Sequence, residues 1–169
     1  LTPQSKARNA WKAITDLIEN NLLYTGTPEE IAEFLNIVRF KNNKSRYLVE
    51  LRNLMTVDGK LQPKKILSEQ GDVFQKRAWI LKNVKGMGLK EANHVLRNLG
   101  FGENIAILDR HILRNLAELK VIDEVPKSVN EKKYYEIEEK MREYSKFSGI
   151  NMDELDLVLW YKEAGEIFK

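Results

Sequence analysis

Asn83-Val84-Lys85-Gly86-Met87-Gly88-Leu89-Lys90-Glu91-Ala92 is the stretch on which the fold turns. Ahead of it, Val73, Phe74, Arg77, Ile80 and Leu81 follow Asp72 at helical spacing. Behind it, Leu89, Ala92, Val95, Leu96 and Leu99 form an apolar stripe that stops at Gly100, a normal C-terminal signal. Two glycines between these runs predict a tight turn joining two helices, the second entering at an exposed N-terminus. Unpaired N–H groups and the positive end of the helix dipole suit a DNA phosphate there, without reading any base. By itself a Gly-x-Gly between helices is most often a plain turn.

Working outward, periodicity predicts helix nearly everywhere. Ala10, Trp11, Ile14, Leu17 and Ile18 recur at helical spacing, as do Ile31, Phe34, Leu35 and Val38, and Tyr47, Leu48, Leu51, Leu54 and Met55. Thr27-Pro28-Glu29-Glu30 reads as a capping box with proline at the first helical position. Further helices are expected from Asp109 to about Lys120, from Asn130 to about Phe147 and from Met152 to about Phe168. No strand is expected. Thr56–Gln70, with Asp58-Gly59 and Pro63, reads as the loosest connection. The expectation is an all-α fold of two helical lobes around a DNA-binding cleft, divided into residues 1–58 and 59–169. Leu1-Thr2-Pro3-Gln4, without an initiator methionine, reads as the middle of a structural unit preceded by a further segment.

Composition narrows the chemistry. Hydrophobic residues make up 43% and charged residues 31% of 169, the balance of a soluble globular protein. No stretch approaches the length needed to span a bilayer and no signal peptide is visible, so an intracellular protein with no membrane partner is expected. Cysteine is absent, which removes disulfides, thiol nucleophiles and cysteine-ligated zinc or iron–sulfur centres. Only His94 and His111 remain as histidines, without a carboxylate pattern around them, so no catalytic metal is expected. Net charge is only +3, but it is uneven. Residues 76–97 carry six basic side chains (Lys76, Arg77, Lys82, Lys85, Lys90 and Arg97) against Glu91, and residues 37–52 carry five (Arg39, Lys41, Lys44, Arg46 and Arg52) against Glu50. Such windows are the footprint of a polyanion, although ordinary solvated helix faces are the better account of them when charge is the only clue.

The hairpin stretch together with Asp109, 19 residues after Lys90, resembles the helix-hairpin-helix DNA glycosylase superfamily, in which a lysine opens the second helix and an aspartate follows the hairpin. Within it, the chain is most similar to the short archaeal and bacterial 8-oxoguanine DNA glycosylase/lyases. That likeness also rests on Leu1-Thr2-Pro3-Gln4, on Ile105-Ala106-Ile107-Leu108-Asp109-Arg110-His111-Ile112-Leu113-Arg114, and on Asp156-Leu157-Val158-Leu159-Trp160-Tyr161 through Lys169. It covers essentially the whole chain and departs at the start, where the family has an additional helical segment.

The resemblance implies a bifunctional enzyme that extrudes 8-oxoguanine from duplex DNA, displaces it with Lys90, and cleaves the strand through a Schiff base, with Asp109 as acidic partner. Asp109 could equally be a helix cap, and the two roles are compatible. The resemblance further implies that Phe40 and Trp160 stack on the base, that the terminus at Lys169 reaches the pocket, and that Gln4 fills the hole left by the nucleotide. His111 would contact phosphate, and Lys85, Gly86, Met87, Gly88 and Arg110 would lie against DNA. No organic cofactor is needed; a monovalent cation on the hairpin carbonyls near Val84 and Gly86 is compatible with the superfamily. The expected partner is double-stranded DNA containing 8-oxoguanine, bound by a monomer. The alternatives are a non-catalytic helix-hairpin-helix DNA-binding module and a glycosylase for another damaged base, although iron–sulfur members need four cysteines that this chain lacks.

Overall fold

The computed structural model describes residues 1–2 and 4–165, with Ala164 through its backbone only. Those residues form two compact units, one from Leu1 to Glu69 with Asn83–Gly86, and one from Gln70–Lys82 with the described residues from Met87 onward. The first unit holds α1 (Ala7–Glu19), α2 (Leu22–Thr25), α3 (Pro28–Phe34), α4 (Lys41–Leu54), a short hairpin of β1 (Thr56–Val57) and β2 (Lys60–Leu61), and α5 (Pro63–Ser68). The second holds most of α6 (Val73–Asn83), followed by α7 (Leu89–Asn98), α8 (Arg110–Glu118), α9 (Glu131–Ser148) and α10 (Met152–Ala164). The fold is all-α, as the periodicity predicts.

Helix boundaries follow their capping chemistry. Thr27 Oγ1 accepts the Glu30 N–H at 3.3 Å while Glu30 returns a carboxylate to the Thr27 N–H at 2.8 Å, completing the capping box. Asp72 and Gln75 make the same reciprocal pair at the start of α6, at 2.8 and 2.9 Å. At the end of α7, Gly100 takes a φ of +87°, and the Gly100 and Phe101 N–H groups return to Arg97 and Leu96 carbonyls. This Schellman arrangement is open to glycine at little cost. Gly165, at φ +70°, ends α10 earlier than the expected boundary near Phe168.

Three expectations change. Thr56–Gln70 is not a loose connection: Asp58 and Gly59, at φ +51° and +71°, make a two-residue turn that pairs Thr56 with Leu61 and Val57 with Lys60, and Pro63 opens α5. Strands of two residues are too short to show a period of two, which is why no strand was legible. In α1 the buried face is Ala10, Ala13 and Leu17, whereas Trp11 is 67% exposed and Ile18 is also exposed. Helical spacing was right there, but the stripe is rotated towards its small residues. Finally, much of the positive charge is internal, as described below.

Each unit has its own core. In the first, Ala10, Ala13 and Leu17 pack with Ile31, Leu35 and Val38. In the second, Leu108, Ile112, Leu113 and Leu116 pack with Ile137 and Met141 of α9 and with Met152, Leu155 and Leu159 of α10. Burying this many aliphatic side chains, at roughly 1.5–3 kcal/mol each, is what holds α8 between its neighbours.

Candidate active site

The turn between α6 and α7 contains two glycines with different reasons. Gly86 takes a φ of +75°, and a Cβ there would lie 2.8 Å from Cδ2 of Tyr47, so both backbone conformation and space demand glycine. Gly88 is extended, at φ −100° and ψ −177°, and caps α7 without any side-chain hydrogen bond. The first-turn N–H groups of α7 are thus left without a side-chain cap, which is the arrangement that accepts a phosphate. Lys85, 64% exposed, reaches Glu50 at 3.0 Å, while Met87 is half-buried.

Lys90 is the second residue of α7. Its side chain is 44% exposed and its Nζ lies 3.2 Å from Glu91 Oε1, so the amine stands at the surface on a helix whose inner face is buried through Ala92, Asn93 and Leu96. Asp109 caps α8: its Oδ1 accepts the N–H groups of His111 and Ile112, both at 2.9 Å. The capping alternative is therefore true, and it holds the carboxylate in one place.

The chain leading into Asp109 is held by side chains. Residues Ile105–Leu108 are buried, yet form neither helix nor strand, so their polar groups need other partners. Ala106 donates its N–H to Glu138 Oε1 at 2.9 Å, and its carbonyl accepts from Asn93 Nδ2 at 2.7 Å and from the Tyr134 hydroxyl at 2.6 Å. Leu108 N–H reaches the same hydroxyl at 3.4 Å. Glu138 also accepts both contacts of Arg77 Nη1 at 2.8 Å and one from Asn93 Nδ2 at 3.1 Å. Burial pushes the Tyr134 hydroxyl well above the ordinary phenol range, so it is present as a donor. None of Asn93, Tyr134 and Glu138 is singled out by the sequence. Glu138 lies among the charges of Glu136–Lys140, with nothing to mark one carboxylate as internal.

His111 and Trp160 are brought together, edge to face, with ring centroids 6.2 Å apart and planes at 79°. Asn115, fully buried, bridges their helices by donating to the carbonyls of His111 at 2.9 Å and Leu159 at 3.1 Å. His111 Nδ1 also lies 3.7 Å from Glu163 Oε2. Arg110 is exposed at the first position of α8.

Phe40 and Gln4 belong to the other unit. Phe40 is 56% exposed and, as the N-cap of α4, is held at φ +60°, a region that aromatic residues rarely adopt. Gln4, at φ +55°, accepts from Arg39 Nη1 at 3.3 Å, and the Arg39 N–H donates to Ser5 Oγ at 2.9 Å. Arg39 is thus tied to Gln4, a link that charge counting could not show. Lys169 lies outside the described residues.

The basic windows divide on folding. Lys76 and Arg77 are buried, Lys76 donating to the Gly71 carbonyl and facing the Phe101 ring at 5.0 Å. The Arg97 side chain is 9% exposed and lies 3.7 Å from Asp156. Lys44 is buried against the Leu1 carbonyl and Ser5 Oγ, and burial lowers its pKa from the ordinary lysine value. Lys82 and Lys85 remain exposed.

A family model described as 8-oxoguanine DNA glycosylase matches residues 1–150. A protein of Fusobacterium nucleatum named 8-oxoguanine DNA glycosylase/AP lyase is 65% identical over 169 residues, covering 100% of this chain and 78% of that protein. Among solved structures, the Methanocaldococcus jannaschii 8-oxoguanine glycosylase/lyase in complex with 15mer DNA containing 8-oxoguanine matches with a TM-score of 0.83 and 33% identity, over 97% of this chain and 76% of that one. The Thermotoga maritima 8-oxoguanine DNA glycosylase matches with a TM-score of 0.74 and 34% identity, over 97% and 75%. With a family model spanning most of its length and relatives this similar, the chain belongs to the 8-oxoguanine DNA glycosylase family.

Proposed function

We propose that this chain removes 8-oxoguanine from duplex DNA and then cleaves the strand, with Lys90 as nucleophile and Asp109 as its acidic partner. The observation that carries the assignment is Asp109 itself, a carboxylate fixed by two backbone N–H groups at the end of a buried, side-chain-held segment, in a member of this family. A base stacked in a duplex is out of reach, so the nucleotide is first extruded. Lys90 then attacks the sugar C1′ as the free amine, and the C1′–N9 bond breaks with its electron pair leaving on the base. The Asp109 carboxylate stabilises the positive charge that builds on the sugar. Opening of the sugar ring gives a Schiff base on Lys90. Loss of a C2′ proton then expels the 3′ phosphate.

The uncapped start of α7, with Lys85, Gly86, Met87 and Gly88, is proposed to lie against phosphate, and Arg110 and His111 to serve the same purpose at α8. Phe40 and Trp160 are each proposed as an aromatic face for the extruded base, Gln4 as the polar side chain placed into the vacated stack, and Lys169 as a further base-contacting residue. The carbonyl oxygens of Val84 and Gly86 are of the donor type that a monovalent cation takes. The working form is proposed to be a monomer acting on DNA inside the cell.

Borohydride trapping on a duplex carrying one 8-oxoguanine tests this reading. A covalent complex is expected with the intact protein, none with Lys90→Gln and none with guanine in place of the lesion. Base release without trapping would remove Lys90 as nucleophile. DNA binding without release would leave a binding module.

A further inference from the structure

Lys90 and Asp109 come from different elements, and something must fix one against the other. The buried polar cluster around Ala106 touches both sides. Asn93 lies one helical turn beyond Lys90 on α7, and donates to the carbonyl of Ala106, three residues ahead of Asp109. Tyr134 and Glu138, one turn apart on α9, hold the Ala106 N–H, the Ala106 carbonyl and the Leu108 N–H of that same segment, and Arg77 from α6 balances the Glu138 charge. Asn93 is 0% exposed, Glu138 2% and Tyr134 5%.

A buried ion pair of this kind is a poor way to gain stability, because apolar side chains of similar size would do as well. A cluster whose members are all satisfied does specify geometry, since each hydrogen bond tolerates only a narrow range of distance and angle. Here both backbone polar groups of Ala106 are taken by three side chains from two helices, one of which carries Lys90. A slip of the 105–108 segment would break three hydrogen bonds at once and carry Asp109 with it.

We infer that Asn93, Tyr134 and Glu138 are positioning residues, which set Asp109 against Lys90 for the base-excision step. The inference rests on the proposed roles of Lys90 and Asp109. Misplacement on the scale of an ångström is expensive for a step in which charge develops, so loss of one of these contacts should cost about 10- to 100-fold in excision rate. Schiff-base formation on an already opened abasic sugar needs Lys90 but no charge stabilisation at a breaking glycosidic bond. It should be far less sensitive.

The test compares Tyr134→Phe, Glu138→Gln and Asp109→Asn with the intact protein in two reactions. One is single-turnover excision from an 8-oxoguanine duplex; the other is borohydride trapping on a duplex with a preformed abasic site. Expected is a loss of about 10- to 100-fold in excision for Tyr134→Phe and Glu138→Gln, with the half-saturating DNA concentration and the trapping rate close to those of the intact protein. Asp109→Asn should show the same pattern more strongly. Tyr134→Phe removes one oxygen and keeps the ring in its apolar seat, so it carries the test should Glu138→Gln not fold. Unchanged excision in both variants overturns the inference alone, as does an equal loss of excision and trapping, which marks a purely structural role. Full excision by Asp109→Asn would instead remove the role of Asp109 itself, and the positioning role with it.

Discussion

Asp109 Oδ1 accepts the backbone N–H groups of His111 and Ile112, both at 2.9 Å, so the carboxylate proposed as the acidic partner of Lys90 is also the N-cap of α8. These two uses can be separated. Asparagine caps a helix about as well as aspartate, so Asp109→Asn should unfold within about 0.5 kcal/mol of the intact protein while excision falls about 100- to 1,000-fold. Asp109→Ala loses the cap as well and should cost about 1 kcal/mol in addition to the activity. Chemical denaturation beside single-turnover kinetics reads both quantities. Equal stability of the asparagine and alanine variants would contradict the cap.

The two hairpin glycines should not be equivalent. Gly86→Ala meets both a positive φ and the Tyr47 ring at 2.8 Å, and is expected to cost about 1–3 kcal/mol and to weaken duplex binding. A Cβ on Gly88 would meet only the Glu91 carboxylate, at 3.3 Å, and the backbone there is extended. Gly88→Ala should therefore cost about 1 kcal/mol or less, the ordinary loss at an N-cap. Thermal melts with binding isotherms on undamaged duplex distinguish the two, and similar costs would mean that the turn is read wrongly.

Salt dependence should follow exposure rather than the count of basic residues. Lys82 and Lys85 are exposed, and a lysine that contacts phosphate contributes about 0.9 to the slope of log affinity against log salt. Removing Lys85 should lower that slope by about this amount. Lys76, buried and occupied with Gly71 and Phe101, should leave the slope unchanged when replaced by Met. A slope that drops for Lys76→Met would place that side chain at the DNA.

Alkaline stability should report on Tyr134. Burial raises its pKa from the ordinary value of 10.0, so above that value the unfolded chain loses the proton while the folded one keeps it. The folded state then binds more protons, and the stabilisation present below about pH 10 is lost as pH rises, by up to about 1.4 kcal/mol per unit. Denaturant titrations at about pH 9 and about pH 11 should show a smaller difference for Tyr134→Phe than for the intact protein. An equal difference would mean that the hydroxyl is not held neutral by burial.

The helices were legible because their signals are local. Thr27 with Glu30, Asp72 ahead of Val73, and Gly100 after Leu99 are each local signals that the structure uses as read, and Gln75 adds a reciprocal bond to Asp72. Asp109 was also legible as a cap, and its side chain takes that part at the start of α8. The hairpin at Asp58-Gly59 carried a turn signal, but its strands were too short for a pattern. In α1, helical spacing identified the helix but left the buried face to be chosen by the neighbouring residues Ile31, Leu35 and Val38.

By itself, the sequence determined an all-α chain, a glycine-joined helical hairpin, and the motif of Lys90 followed by Asp109 through which the family is recognisable. Only the tertiary structure decided which charges remain available. Lys76, Arg77, Arg97 and Glu138 look like surface residues on their helices, and each is taken inside by a partner distant in sequence. The physical reason is that helix formation depends on residues three and four positions apart, whereas the fate of a charge depends on its surroundings in space. Whether it is solvated or paired is settled by groups such as Ala106 and Asp156 that only folding brings to it.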